Sequence, residues 1–313
     1  MTFCAIFVRL NAHLFNRLRQ GRILENIEIN NYRLEYSEQG IGEPVIFVHG
    51  SASDYRTWHA QRDVFAQEYR TIVYSRRYHY PNPAIPEGTD YSMEEHANDL
   101  ETLIHLLDAK PAHLVGHSYG AFLCLLIAMK EPRLVRSLVL AEPPVMTLFV
   151  SNTPKPTELL KLFVTRPRTA AAVIKFGAKG VAPASKAFRQ GDMEKGIRLF
   201  GDAVFGKGSY DHLSGSRKAM VDDNLSNVKA ELLGSGFLPL DEDRLRNLRI
   251  HALLITGGRS ISLFRHLINR LEELLPQTER IEIPGALHAM HEDNAGAYNA
   301  AVLSFLKKYS PPA

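Results

Sequence analysis

Short apolar runs recur along the chain, and segments with helical spacing lie between them. Residues 26–29 and 32–37 flank the turn-forming pair Asn30-Asn31 and predict a β-hairpin. Six apolar runs follow, several with almost no polar alternation, which is typical of parallel strands buried on both faces. They lie at 44–49, 70–75, 112–116, 135–141, 251–256 and 279–283, and helical patterns lie at 93–107, 119–130, 263–275 and 295–308. The alternation predicts an α/β fold with a doubly wound, mostly parallel sheet of eight strands.

One long segment interrupts this alternation. From residue 143 to about 245 no buried-strand run occurs, and helical segments follow one another with Gly and Pro between them. Because it follows the sixth strand, the segment is expected over the carboxyl ends of the strands, where open α/β sheets bind ligands. We therefore predict a core of residues 26–143 and 246–313 and an inserted helical cap of residues 144–245.

The first 25 residues precede this pattern. Residues 3–18 have the apolar spacing of an amphipathic helix, and the opening MTFCAIFVRL is too short an apolar run to span a bilayer. It also lacks the basic start and small-residue cleavage site of a secretory signal. We predict a helical extension over residues 1–25 that docks on the domain, without stable membrane insertion.

Composition changes this picture little. Hydrophobic residues make up 45% and charged residues 23% of the 313, as in an ordinary globular protein. The net charge is +3, but 13 Lys and Arg face 5 Asp and Glu between residues 150 and 220. We interpret this excess as a solvated basic face, with recruitment of an anionic substrate or surface as the alternative. No nucleic-acid partner is expected, because the basic residues form no recognition motif.

Only two cysteines, Cys4 and Cys124, are present. They are too few for a disulfide framework, so a reducing, cytoplasmic location is expected. The oligomeric state does not follow from the sequence.

The chemistry is indicated first by Gly116-His117-Ser118-Tyr119-Gly120, a G-x-S-x-G pentapeptide. It directly follows a predicted buried strand and directly precedes a predicted helix, which is the context that distinguishes a nucleophile turn from an ordinary glycine-bearing turn. A sharp strand-to-helix turn needs glycine two residues either side of the serine, since a Cβ there would collide with the adjoining backbone. The pattern predicts Ser118 as an exposed nucleophile.

From about residue 26 onward the chain resembles the α/β-hydrolase family, through the segments HGSASDYRTW, YSRRYHYPNP, GHSYG, LVLAEPPV and IPGALHAMHE. In that family the HG-x segment after the third strand supplies one amide of the oxyanion hole. The resemblance therefore implies the backbone N–H groups of Ser51 and Tyr119 as donors, with His49 structural. Many relatives end the fourth strand in an acidic residue followed by Arg-Gly, whereas this chain has Arg76 and Arg77, whose roles stay open.

The resemblance also implies a catalytic histidine in the loop after the last strand. His288 lies there and fits the family pattern of Gly, two residues, then His, so it is favoured over its competitor His291. In most relatives the acid that orients this histidine follows the seventh strand, but residues 257–265 hold no carboxylate. Some members carry the acid after the sixth strand, where Glu142 stands. Glu142 keeps the order serine, acid, histidine, and we predict it as the third member.

These residues predict a serine hydrolase that cleaves an ester or related acyl bond of a small molecule through an acyl-enzyme, without metal or organic cofactor. Lactonase, carbon–carbon bond hydrolase, acyltransferase and cofactor-free perhydrolase activities use the same triad and stay open. A non-catalytic ligand receptor is the alternative from another class. We expect cap residues to line the substrate pocket, chiefly Met146, Phe149 and Phe163, and also Leu159, Leu162 and Phe205.

Overall fold

The computed structural model describes residues 24–311. Eight strands form one sheet in the order β1-β2-β4-β3-β5-β6-β7-β8. Their bounds are β1 Glu25–Ile29, β2 Tyr32–Gln39, β3 Pro44–Val48, β4 Arg70–Tyr74, β5 Ala112–His117, β6 Val135–Ala141, β7 His251–Gly257 and β8 Thr278–Ile283. Strand β2 pairs antiparallel with β1 and β4, and every other pairing is parallel. The predicted doubly wound, mostly parallel sheet is confirmed.

Helices cover both faces of the sheet. Neighbouring residues of β5 show this, because Leu114 belongs to an apolar cluster with Leu100 and Phe122. Val115 belongs to a second cluster, with Phe65 and Tyr298. Successive side chains of a strand point to opposite faces. The two-sided burial therefore explains why the strands read as apolar runs without alternation.

The helices follow the sheet strands in the expected places. Their bounds are α1 His59–Phe65, α2 Met93–Leu106, α3 Tyr119–Lys130, α4 Pro156–Thr165, α5 Pro167–Phe176, α6 Ala182–Arg189, α7 Met193–Phe205, α8 Gly215–Asp223, α9 Leu225–Leu233, α10 Glu242–Asn247, α11 Ser262–Leu274, α12 Met290–Asp293 and α13 Ala295–Tyr309. Shorter 3-10 turns occupy Tyr55–Trp58, Pro132–Leu134, Met146–Leu148 and Ser209–His212, and a π turn occupies Gly177–Val181. In residues 24–311 no helix has the length and apolar character that crossing a membrane requires.

Helices α4 to α10 lie between β6 and β7, and we call residues 144–250 the helical insertion. A third apolar cluster joins this insertion to the core, since Ala52 of the loop after β3 packs with Phe188, Ile197 and Tyr210. The insertion therefore contacts the carboxyl end of β3, next to the start of α3. The predicted helical extension over residues 1–25 lies outside the described residues, except that Glu25 begins β1.

Candidate active site

Ser118 occupies the sharp turn between β5 and α3. Its backbone is in the positive-φ region, with φ of 51° and ψ of −122°, and its N–H donates to the carbonyl oxygen of Ala141 at 2.8 Å. A Cβ on Gly120 would lie 2.1 Å from the carbonyl oxygen of Val48, and one on Gly116 would lie 2.4 Å from the Cα of Ala121. Both positions therefore require glycine, for the steric reason expected from the motif.

The loop after β3 approaches Ser118 closely. A Cβ on Gly50 would lie 3.0 Å from the Cβ of Ser118, and Ser51 lines the same cavity as Ser118. Tyr119 is the first residue of α3, so its backbone N–H has no partner within the helix. Ser51 and Tyr119 thus lie on the two backbone segments that border Ser118, as the resemblance implies.

Two buried side chains hold that loop. The ring of His49 accepts a hydrogen bond at Nε2 from the backbone N–H of Arg76, at 2.8 Å. The Arg76 guanidinium donates to the carbonyl oxygens of His49 and Gly50, at 3.1 and 3.0 Å, and to the hydroxyl of Tyr91 at 2.7 Å. Burial holds the pKa of His49 well below its usual value, and the neighbouring Arg76 charge acts in the same direction. His49 is therefore a neutral structural residue, and Arg76 supports the loop that carries Ser51.

Arg77 has a different function from its neighbour. Its guanidinium makes two hydrogen bonds of 2.7 Å to the carboxylate of Asp99 on α2. This pair ties the end of β4 to a core helix. At the two positions where the chain departs from the family pattern, Arg76 therefore holds the loop beside Ser118, and Arg77 pairs with a helix of the core.

His288 lies in the loop after β8, next to Glu142. The distance from His288 Nδ1 to Glu142 Oε2 is 2.6 Å, and Glu142 Oε1 accepts the backbone N–H of Gly257 at 3.0 Å. Glu142 is fully buried and His288 is 2% exposed. The His288 ring stacks on Phe264 at 4.1 Å. The carboxylate and the stacked ring together fix the orientation of the imidazole.

The end of β7 has no room for an acid at its last residue. A Cβ on Gly257 would lie 2.3 Å from the carbonyl oxygen of Leu287, within the loop that carries His288. The backbone N–H of Gly257 instead donates to Glu142. The carboxylate reaches His288 from the end of β6, and the end of β7 supplies a hydrogen-bond donor for it.

The competing histidine, His291, lies apart from the cavity lining. Its Nε2 is 2.8 Å from the hydroxyl oxygen of Thr57, and its ring packs on Trp58 at 4.5 Å. Burial lowers the pKa of His291 to about 4. It is neutral near pH 7 and packs within the core.

Ser118 and His288 line one cavity between the core and the helical insertion. Its walls are mostly apolar, with Ser51, His117 and Arg217 as further polar side chains. The remaining lining residues are Ala52, Ile197, Phe200, Gly201, Val204, Phe205, Tyr210, Leu213 and Val221. The walls that face Ser118 therefore come chiefly from α7 and α8.

The structure places Met146, Phe149 and Phe163 elsewhere, which corrects the expectation that they line this cavity. Met146 packs beside the core cluster, and Phe149 borders a separate depression near Arg166. Phe163 is 59% exposed. Phe205 alone of the six expected residues lines the cavity.

Sequence reasoning also missed Glu231, on helix α9. The hydroxyl of Ser51 donates to Glu231 Oε1 at 2.5 Å. Burial raises the pKa of Glu231 to about 6, against the opposing effects of the Arg76 charge and the Ser51 hydrogen bond. This carboxyl group links the insertion to the loop beside Ser118. The sequence carries no signal for it, because a lone glutamate on an amphipathic helix is most often solvated.

The sequence of the chain is similar to those of known proteins. A family model described as the alpha/beta hydrolase fold matches residues 43–295. The chain is 26% identical over 132 residues to the uncharacterized hydrolase YraK of Bacillus subtilis (strain 168), a match that covers 42% of this chain and 49% of that protein. It is 28% identical over 109 residues to the (E)-2-((N-methylformamido)methylene)succinate hydrolase of Acinetobacter baylyi, covering 35% of this chain and 41% of that enzyme. The matches thus span less than half the length of these two relatives.

The fold is also found among solved structures. The esterase EaEST from Exiguobacterium antarcticum superposes with a TM-score of 0.69 at 17% identity, covering 91% of this chain and all of that one. At this identity the likeness concerns the fold alone.

Proposed function

The chain belongs to the α/β-hydrolase family, and we propose that it is a serine hydrolase that cleaves an ester or related acyl bond of a small molecule. The observation that carries the proposal is the buried hydrogen bond between Glu142 and His288, at 2.6 Å, in the same cavity as a serine on a strained turn. A buried carboxylate fixes the tautomer of an imidazole and stabilises its protonated form. His288 is then suited to accept a proton at Nε2.

In the proposed mechanism Ser118 Oγ attacks the acyl carbon as its proton passes to His288 Nε2. The tetrahedral oxyanion is stabilised by the backbone N–H groups of Ser51 and Tyr119, with a contribution of roughly 3 kcal/mol per donor. His288 returns the proton to the leaving group, and an acyl-enzyme forms on Ser118. Water, activated by the same histidine, then hydrolyses the acyl-enzyme.

We further propose that residues 144–245 act as a cap for this site. Helices α7 and α8 supply most of the apolar wall around Ser118, which suits the hydrocarbon part of an acyl compound. The names of the similar proteins agree with this class, since one is an esterase and another hydrolyses a succinate derivative.

Labelling with a fluorophosphonate probe tests the proposal. The probe phosphonylates an activated serine, so the wild-type protein should be labelled at one site and Ser118→Ala should not be labelled. Ser216→Ala, at an exposed serine of α8, is the matched control and should be labelled like the wild type. Absence of labelling in the folded wild-type protein, or equal labelling of Ser118→Ala, would overturn the proposal.

A further inference from the structure

Arg217, on helix α8, is the one Lys, Arg, Asp or Glu side chain among the described residues that line the cavity. Its side chain is 10% exposed, so the guanidinium is largely withdrawn from bulk water. Placing an ionised group in an apolar wall is unfavourable unless a partner compensates for the lost hydration. Its partners therefore decide whether Arg217 is structural or binds something in the cavity.

Every polar contact that the Arg217 side chain makes within residues 24–311 uses one nitrogen, Nη1. It lies 3.3 Å from Glu292 Oε1, 3.4 Å from Ser53 Oγ and 3.1 Å from Met220 Sδ. The donors on Nε and Nη2 have no hydrogen-bond partner among the described residues. Arg217 is thus anchored at one nitrogen and has an unused edge of two nitrogens.

Two other arginines of this chain, each paired with a buried aspartate, have a different geometry. Arg77 donates to both oxygens of Asp99, and Arg56 donates from Nε and Nη2 to both oxygens of Asp54, all at 2.7 to 2.8 Å. The contact of Arg217 with Glu292 is a single one and is longer. The Glu292 carboxylate is also shared with the hydroxyl of Thr57. The ion pair therefore satisfies only part of the guanidinium.

The charge of Arg217 also acts on the residues around Ser118. Burial holds the pKa of His117 well below its usual value, and the Arg217 charge contributes in the same direction. Because Arg217 lines the same cavity as Ser118, its positive charge would attract an anion bound there.

We propose that Arg217 binds a carboxylate of the substrate, and that the enzyme acts on acyl compounds that carry this anionic group, such as the monoesters of short dicarboxylic acids. The proposal rests on the serine hydrolase function proposed above. The planar guanidinium edge matches a carboxylate with two parallel N–H···O hydrogen bonds. The methylene groups between carboxylate and ester would contact the apolar side chains of α7.

A pair of isosteric esters tests the proposal. Monoethyl succinate has a carboxylate at the position where ethyl 4-methylpentanoate has an isopropyl group. The rate of ethanol release gives kcat/KM for each ester. The wild-type enzyme should prefer the anion by at least about tenfold, the equivalent of one charge-assisted hydrogen bond. Arg217→Met should reduce that ratio by about tenfold or more, and Arg217→Lys should reduce it less, because it keeps the charge without the two-donor edge.

The control is Arg198→Met, at a partly exposed arginine of α7 that pairs with Asp211 and does not line the cavity. Its ratio should equal that of the wild type. Succinate binding, measured by calorimetry, is independent of turnover and should be present in the wild type and weakened in Arg217→Met. No preference for the anion, or the same ratio in the Arg217 variants, would overturn the inference. Failure of the wild type to hydrolyse even 4-nitrophenyl acetate would instead overturn the proposed function.

Discussion

At the scale of single residues, two positive-φ backbones position the proposed catalytic groups. Ser118 has a φ of 51° and Glu142 a φ of 45°. Both N–H groups donate to strand carbonyls, Ser118 to Ala141 and Glu142 to Ile255, at 2.8 and 3.2 Å. Non-glycine residues adopt this conformation at a cost of roughly 1–3 kcal/mol, which the surrounding sheet must offset. The strained residues are thus held by hydrogen bonds at the carboxyl ends of β6 and β7.

Replacement of Glu142 by Gln should lower kcat by about four orders of magnitude, as loss of a triad carboxylate does elsewhere. The amide can still accept the hydrogen bond from Gly257, so the fold should be retained, but it cannot stabilise the imidazolium of His288. Steady-state kinetics and circular dichroism of the variant test this. Turnover within tenfold of the wild type would show that another group orients His288.

Glu231 predicts a dependence of stability on pH. Its pKa is raised from 4.5 to about 6 in the folded protein, so the folded state binds more protons than the unfolded state between these values. Its contribution is therefore most favourable below pH 4.5 and is lost as the pH rises through 6. The free energy of unfolding of the wild type, relative to Glu231→Gln, should fall over this range by on the order of 1 kcal/mol.

Urea unfolding at several pH values between 4 and 7 measures this difference. Glu194→Gln, at an exposed carboxylate of α7, is the matched control against which the pH dependence is compared. A wild type that gains stability relative to Glu231→Gln as the pH rises would show that burial does not raise the pKa of Glu231.

At the scale of elements, the spacing of apolar residues in the sequence was enough to predict the buried strands and the core helices. Strand β5 and helix α3 have the expected apolar runs, and all residues of β5 and most residues of α3 are buried. The helices of the insertion were also predicted, but the residues of the insertion that line the cavity were not, because an apolar side chain on a short helix does not show which neighbour covers it. In α4, Leu160, Phe163 and Val164 are 65%, 59% and 73% exposed, while Leu162 is buried. The largest share of the apolar wall of the cavity comes from α7, whose Ile197, Phe200 and Val204 have helical spacing.

The junction of β5 and α3 should not tolerate a side chain at Gly120. In Gly120→Ala the new Cβ would overlap the backbone of Val48 and His49, at the end of β3, so the backbone must shift. We therefore expect the free energy of unfolding to fall by about 3 kcal/mol. Gly215→Ala, at a helix start with open space around it, is the control and should change stability by less than about 0.5 kcal/mol. Equal stability of the two variants in urea unfolding would contradict the described turn.

At the scale of the whole molecule, the core and the insertion make separate contributions to the site. Ser118 and His288 come from loops at the carboxyl ends of core strands, and Glu142 directly follows β6. The G-x-S-x-G motif predicted Ser118, and the resemblance to the α/β-hydrolase family implied His288 and Glu142. The three residues come together because parallel strands end at one edge of the sheet. Arg217 and Glu231 come from the insertion, and their positions depend on how helices pack over the core. No local pattern predicts such packing.

The proposed reaction passes through an acyl-enzyme on Ser118, and this intermediate can be trapped. The wild-type enzyme is mixed with 4-nitrophenyl acetate and quenched with acid within the first turnover, and its peptides are mapped by mass spectrometry. One acetyl group is expected on the peptide that contains Ser118, present in the wild type and absent from Ser118→Ala. Acetylation confined to another residue, or undiminished turnover by Ser118→Ala, would contradict it.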